Sequence, residues 1–129
     1  MVYVCHLSIV MILKLDINGM NTVISVATKN ILLGAIAIDK IAIHSGEPGA
    51  NGVDNELSSP RQDCVFSAPS NGVISLVNNV QFTVSAGSTV KYISYWEGAT
   101  FHLSQQINDL VYSATGTFTL LSADTRVSL

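Results

Sequence analysis

Charge is what this chain has least of. Only 12% of its 129 residues are Asp, Glu, Lys or Arg, and six scattered basic residues against nine acidic ones leave a net charge of −3. No basic stripe exists to neutralise phosphates or anionic headgroups, which argues against nucleic-acid binding. Cysteine is nearly absent as well. Cys5 and Cys64 lie far apart, and neither has a second Cys or a His at ligand spacing. Both are expected to be free thiols, Cys64 as a small core residue on a strand, because disulfide-dependent scaffolds usually carry several bridges. The three histidines, His6, His44 and His102, lack a carboxylate or Cys partner at the spacing that builds a ligand pair. No metal site and no cofactor is expected.

A membrane-crossing run is also lacking. Residues 1–15 are apolar, but His6, Ser8 and Lys14 break the run, which falls short of the ~20 residues a bilayer needs. It has neither a basic N-terminal flank nor a small-residue cleavage site. Residues 1–20 are therefore expected to be an N-terminal extension that the domain does not require, with 21–129 forming a single domain. A rival reading makes 12–17 one arm of a hairpin that turns at Asn18-Gly19.

What the chain does have is apolar residues, 48% of the total, with a mean hydropathy of +0.42. That is enough for one core, and with so little charge it predicts an apolar surface that meets another protein chain. The organising stretch is 41–66. Ile41 and Ile43 mark a buried strand, Gly46, Pro48, Gly49 and Gly52 punctuate a long loop, and a second strand begins near Arg61. Before it, 21–37 reads as helix, capped by Asn21 or Thr22 and firm only over 28–37, since β-branched residues weaken its first turns. Gly34 is expected to mark close packing of that helix on a strand. After it, short alternating segments follow at 73–76, 80–84, 90–96, 100–104, 116–121 and 125–129, joined by turns at Asn71-Gly72, Ala86-Gly87-Ser88 and Glu97-Gly98-Ala99. The expected fold is mostly β: an antiparallel, jelly-roll-like β-sandwich of about eight strands with one short N-terminal helix.

Few residues invite chemistry. Ser45 beside His44 resembles a nucleophile beside a base, but strand neighbours point to opposite faces and no Gly-x-Ser-x-Gly occurs. Glu47, Asp54, Glu56 and Asp63, with Asn51 and Asn55, carry oxygen ligands without EF-hand spacing, so a solvated loop face is expected. No catalytic residue is assigned. Tyr92 and Trp96 could contact a glycan, although Tyr95 faces the other way and prevents a platform of three rings. Core packing of Trp96, with its indole N–H on a backbone partner, is the simpler expectation.

The landmarks, taken in order, are the 28–37 helix, Ile43-His44-Ser45-Gly46-Glu47-Pro48-Gly49-Ala50-Asn51-Gly52, Pro60-Arg61-Gln62, Phe82-Thr83-Val84-Ser85-Ala86-Gly87, and Ile93-Ser94-Tyr95-Trp96-Glu97-Gly98-Ala99-Thr100-Phe101. This order resembles a family of small bacteriophage virion proteins described as tail-fibre or minor tail proteins, over roughly 28–121. Residues 53–59 and 105–114 depart from the family pattern. The resemblance implies a virion structural protein that assembles with other virion proteins and with copies of itself, located in the virion and without enzyme activity. Capsid decoration, or a carbohydrate-binding module for host adsorption, are the alternatives. Within it, Glu47, Pro48, Asn51, Asp54, Asn55 and Glu56 are the candidate interface loop, with 47–49 an ordered turn and 53–59 a flexible part that a neighbouring subunit orders.

Overall fold

Alternation along the strands decides which way each residue faces, and β6 (Val80–Val84) shows it most simply. Val80, Phe82 and Val84 are buried while Gln81 and Thr83 are exposed. The computed structural model describes the backbone of β1 (Val2–Cys5) and β2 (Ser8–Val10), and residues 23–129 in full. The rival hairpin around Asn18-Gly19 lies outside the described residues.

Beyond these two strands come α1 (Val26–Ala35), β3 (Lys40–His44), β4 (Gln62–Asp63), β5 (Val73–Ser75), β6, β7 (Thr89–Glu97), β8 (Thr100–Val111), β9 (Gly116–Leu120) and β10 (Arg126–Ser128). Among the described residues the fold is mostly β with one helix, largely antiparallel sheets and no closed barrel, a β-sandwich-like arrangement. One sheet runs β4-β3-β7-β8, and two three-stranded sheets run β1-β9-β6 and β2-β10-β5. Among the described residues, only β1 on β9 and β2 on β10 pair in parallel. Ile41, Ile43, Ile93 and Tyr95 from the large sheet meet Phe82, Phe118, Leu120, Ile74 and Val127 from the other two in a single core. Phe82 and Phe118 lie opposite each other in register, with ring centroids 6.0 Å apart.

The Asn71-Gly72 turn is a two-residue hairpin. Both residues have positive φ, and Ser70 and Val73 exchange two backbone hydrogen bonds across it. The helix runs 26–35, starting later than an Asn21 or Thr22 cap would place it and ending short of 37. Its cap is Ser25, whose Oγ accepts the Thr28 N–H at 3.1 Å, rather than Asn21 or Thr22. A Ser cap placed after the β-branched run spares Val23 and Ile24 from helical geometry. Only Leu33 of the helix is buried, while Val23, Val26 and Ile31 are exposed. Gly34 does not mark close packing on a strand. A Cβ added there meets only Pro69 Cγ at 3.7 Å, an ordinary contact. Among the described residues no helix is long and apolar enough to cross a membrane.

β3 departs from simple alternation in a way that positions everything below. Ile41 and Ile43 face the core, yet Ala42 and His44 on the opposite face are equally buried. Something else covers the outer face of that sheet.

Candidate functional site: the loop that covers the sheet

The cover is the 45–61 loop, and it is stitched down from both ends. Ser45 N–H donates to the Asn55 carbonyl and Leu57 N–H to the Ile43 carbonyl, each at 2.9 Å, while His44 and Glu56 form an isolated antiparallel bridge. Inside this closure Asp54 N–H donates to the Pro48 carbonyl at 3.0 Å and Gly52 N–H to the Gly49 carbonyl at 3.2 Å. Asn55 adopts a left-handed conformation that Asn tolerates well, and its Nδ2 donates to the Glu47 carbonyl. The result is a compact Ω-loop packed on its own atoms. Gly52, at φ +75°, is buried directly under the Phe101 ring, where any Cβ would collide with the ring.

Beneath the loop sits a sealed polar chain. Cross-strand pairing puts His44 opposite Tyr92, Ala42 opposite Ser94 and Lys40 opposite Trp96, so Tyr92, Ser94 and Trp96 share the outer face. His44 Nδ1 lies 2.9 Å from the Asp54 carbonyl oxygen, and a carbonyl only accepts, so Nδ1 carries the proton. Nε2 is 2.7 Å from Ser94 Oγ, and the Trp96 indole N–H donates to that same oxygen, also at 2.7 Å. The proton order follows: Trp96 donates to Ser94, Ser94 to His44, and His44 to the backbone of the loop. Burial lowers the His44 pKa, partly offset by the Asp54 carbonyl and by Glu56, and keeps the imidazole in this neutral form.

A serine hydroxyl on an imidazole whose other nitrogen is anchored has the outline of a nucleophilic relay. Its geometry is that of a structural clamp. Ser94 and His44 are 0% exposed, the Ser94 oxygen already accepts from Trp96, and a carbonyl stands where a carboxylate would stabilise an imidazolium. Ser45 points away from His44 and donates to the Asn55 carbonyl at 3.4 Å. Over the outer side of Trp96 the Arg61 guanidinium lies 3.5 Å from the ring centroid, held by a two-point ion pair to Glu56 at 3.1 and 2.8 Å. Phe101 packs on Trp96 at 5.4 Å between centroids. Indole, guanidinium and carboxylate thus form a stack that pins the far end of the loop to the sheet.

The six candidate interface residues all fall within this one loop. Glu47, Asn51, Asp54 and Asn55 are exposed, whereas Pro48 is buried and Glu56 is half-buried in its pair with Arg61. Residues 53–59, expected to be flexible, contain the loop's main anchors: the Leu57 N–H on the Ile43 carbonyl of β3, the Asn55 carbonyl on the Ser45 N–H, the Asp54 carbonyl on the His44 ring, and the Glu56 carboxylate on Arg61. Of the two glycan candidates, Tyr92 is half-buried. Trp96 is 2% exposed and shows no ring face to solvent; its N–H partner is the Ser94 side chain rather than a backbone group. Ser94, Arg61 and Phe101 carry no site role in the sequence reading. The only signal for Ser94 was its place between Tyr92 and Trp96 on an alternating strand, and nothing local announced that the 45–61 loop folds back over it. Among the described residues no three His, Cys, Asp or Glu gather to hold a metal ion.

Elsewhere, a shallow polar cleft of about 480 Å³ opens between β4 and the outer face of β6, lined by Gln62, Asp63, Asn79, Gln81 and Thr83 among others. Cys64 is a free, buried thiol whose pKa is pushed up to about 12, first by burial and then by the carboxylates of Asp39 and Asp63. No family model, no curated protein and no solved structure matches this chain.

Proposed function

We propose that this chain is a structural subunit of a bacteriophage virion, a tail-fibre or minor tail component that works by protein–protein assembly rather than by catalysis. The family resemblance supplies the virion part of this reading. The observation that carries the assembly part is a contrast in exposure. The groups best suited to chemistry, His44 and Ser94, are sealed at 0%, while Val23 (91%), Ile31 (71%), Val111 (59%) and Val65 (55%) remain on the surface. Such a molecule offers its surroundings surface rather than a reactive pocket. The exposed side of the covering loop adds a rigid polar rim of Glu47, Asn51, Asp54 and Asn55, and rigid rims lose little entropy on docking.

Quantitative mass spectrometry of gradient-purified phage particles tests the reading. The expected result is the chain present at a fixed ratio to the other virion proteins. Its absence from intact particles, with the protein left in the soluble lysate, would overturn it.

A further inference from the structure

The large sheet ends in an unusually long free edge. β8 runs for 12 residues, pairs with β7 on one side, and has no strand on the other among the described residues. An open edge of this kind templates pairing with another chain unless Lys, Pro, a β-bulge or a covering segment blocks it, and the two register shifts of β8 against β7 leave residues 103–106 regularly paired between them. β8 contains no Lys, Arg or Pro, and its one carboxylate, Asp109, is already paired with Lys91 at 3.5 Å.

The order of residues along the edge identifies the partner. In a two-fold antiparallel pairing that continues a sheet, inward residues must oppose inward ones, so only registers centred on a residue are allowed. Centring on Gln105 sets Leu103 against Ile107, Ser104 against Gln106, and Gln105 against itself. The strand is palindromic in character over these five positions, apolar, polar, Gln, polar, apolar. Shifting the centre to Gln106 sets Leu103 against Asp109 and Gln105 against Ile107; shifting it to Ser104 sets Leu103 against Gln105. Both shifts place apolar groups against polar ones. In the Gln105 register, Leu103 and Ile107, which already pack on or within the core, extend it across the junction twice. Gln105 Oε1, buried without a hydrogen-bond partner, meets the amide of a second Gln105.

We propose that β8 is the self-association edge of this protein: two copies join β8 to β8 antiparallel about Gln105, making one continuous eight-stranded sheet. This deepens the assembly reading, on which it rests for the expectation of self-association, but it does not depend on location in a virion.

The test is a cysteine scan of the full chain under mild oxidation, read against the parent for the background from Cys5 and Cys64. Facing Gln105 positions have Cα atoms about 4.5–5.5 Å apart, within the range a disulfide spans. Gln105→Cys is expected to cross-link into a covalent dimer. Asn108→Cys, whose two copies stand about 20 Å apart in this register, is expected to stay at background. Light scattering is expected to give twice the 13.7 kDa chain mass, halved in Ser104→Lys/Gln106→Lys, where exposed lysines face lysines and the circular dichroism is unchanged. A dimer or larger assembly without Gln105→Cys cross-linking overturns the β8 edge and leaves assembly through another surface standing. A monomer at high concentration overturns both.

Discussion

Ser94 is the residue on which the two layers of the outer face are joined. Its hydroxyl serves the Trp96 indole and the His44 imidazole at once, and through His44 it reaches the loop backbone at Asp54. Ser94→Ala leaves a buried N–H and a buried imidazole nitrogen unpaired, which is expected to cost roughly 2–4 kcal/mol. Urea unfolding with an unchanged m-value measures it; a loss under about 1 kcal/mol would show that water or rearrangement replaces the hydroxyl. His44 adds a pH dependence of known sign. Its folded pKa lies below 6.5 because burial opposes the charge, so the unfolded chain takes up a proton that the folded chain refuses. The stability contribution is therefore complete above about pH 6.5 and is lost as the pH falls from there through the folded pKa. Unfolding midpoints taken from about pH 7.5 down to about pH 5 are expected to fall more steeply in the parent than in His44→Gln. Equal slopes would assign the dependence to other groups.

Among the elements, two glycines that look alike in sequence behave oppositely. Gly34 sits in an exposed turn of α1 with ordinary space around it, so Gly34→Ala is expected to stabilise by about 0.5–1 kcal/mol through helix propensity. Gly52 has a left-handed backbone and lies under Phe101, so Gly52→Ala is expected to cost about 1–3 kcal/mol from the backbone alone, with the collision added. Thermal unfolding of the two variants separates them, and a stabilised Gly52→Ala would contradict the packing of the loop. The same contrast shows what a sequence reveals. Val80–Val84 and Asn71-Gly72 were legible because period-2 alternation and turn chemistry are local. The later helix start was not, since Ser25 competes with Asn21 and Thr22 on equal propensity. The sequence pattern ends β8 at 104, because 105–111 places Gln105 inward and Leu110-Val111 side by side, and register shifts against β7 break the alternation. The loop was legible as a loop from its glycines, but its turn is closed by Gly52 N–H on the Gly49 carbonyl, around Ala50-Asn51, rather than at Glu47-Pro48-Gly49. Its closure depends on partners in β3, β7 and Phe101, contacts that no local pattern encodes.

At the scale of the whole molecule, the covering loop gives the large sheet a second buried face, so β3 and β7 are enclosed on both sides, and β8 is an edge with no further strand among the described residues. On the proposed assembly reading, the chain brings a preformed surface to its partners instead of ordering one on contact, which keeps the entropic cost of association low. Amide hydrogen exchange on the free protein tests this most directly. Ser45, Asp54 and Leu57, whose N–H groups bond to Asn55, Pro48 and Ile43, are expected to exchange as slowly as the amides of β3 and β7 and to gain no further protection on assembly. Rapid exchange across 53–59 in the free chain, slowing only when the chain is assembled, would contradict it and make the loop an element that its partner folds.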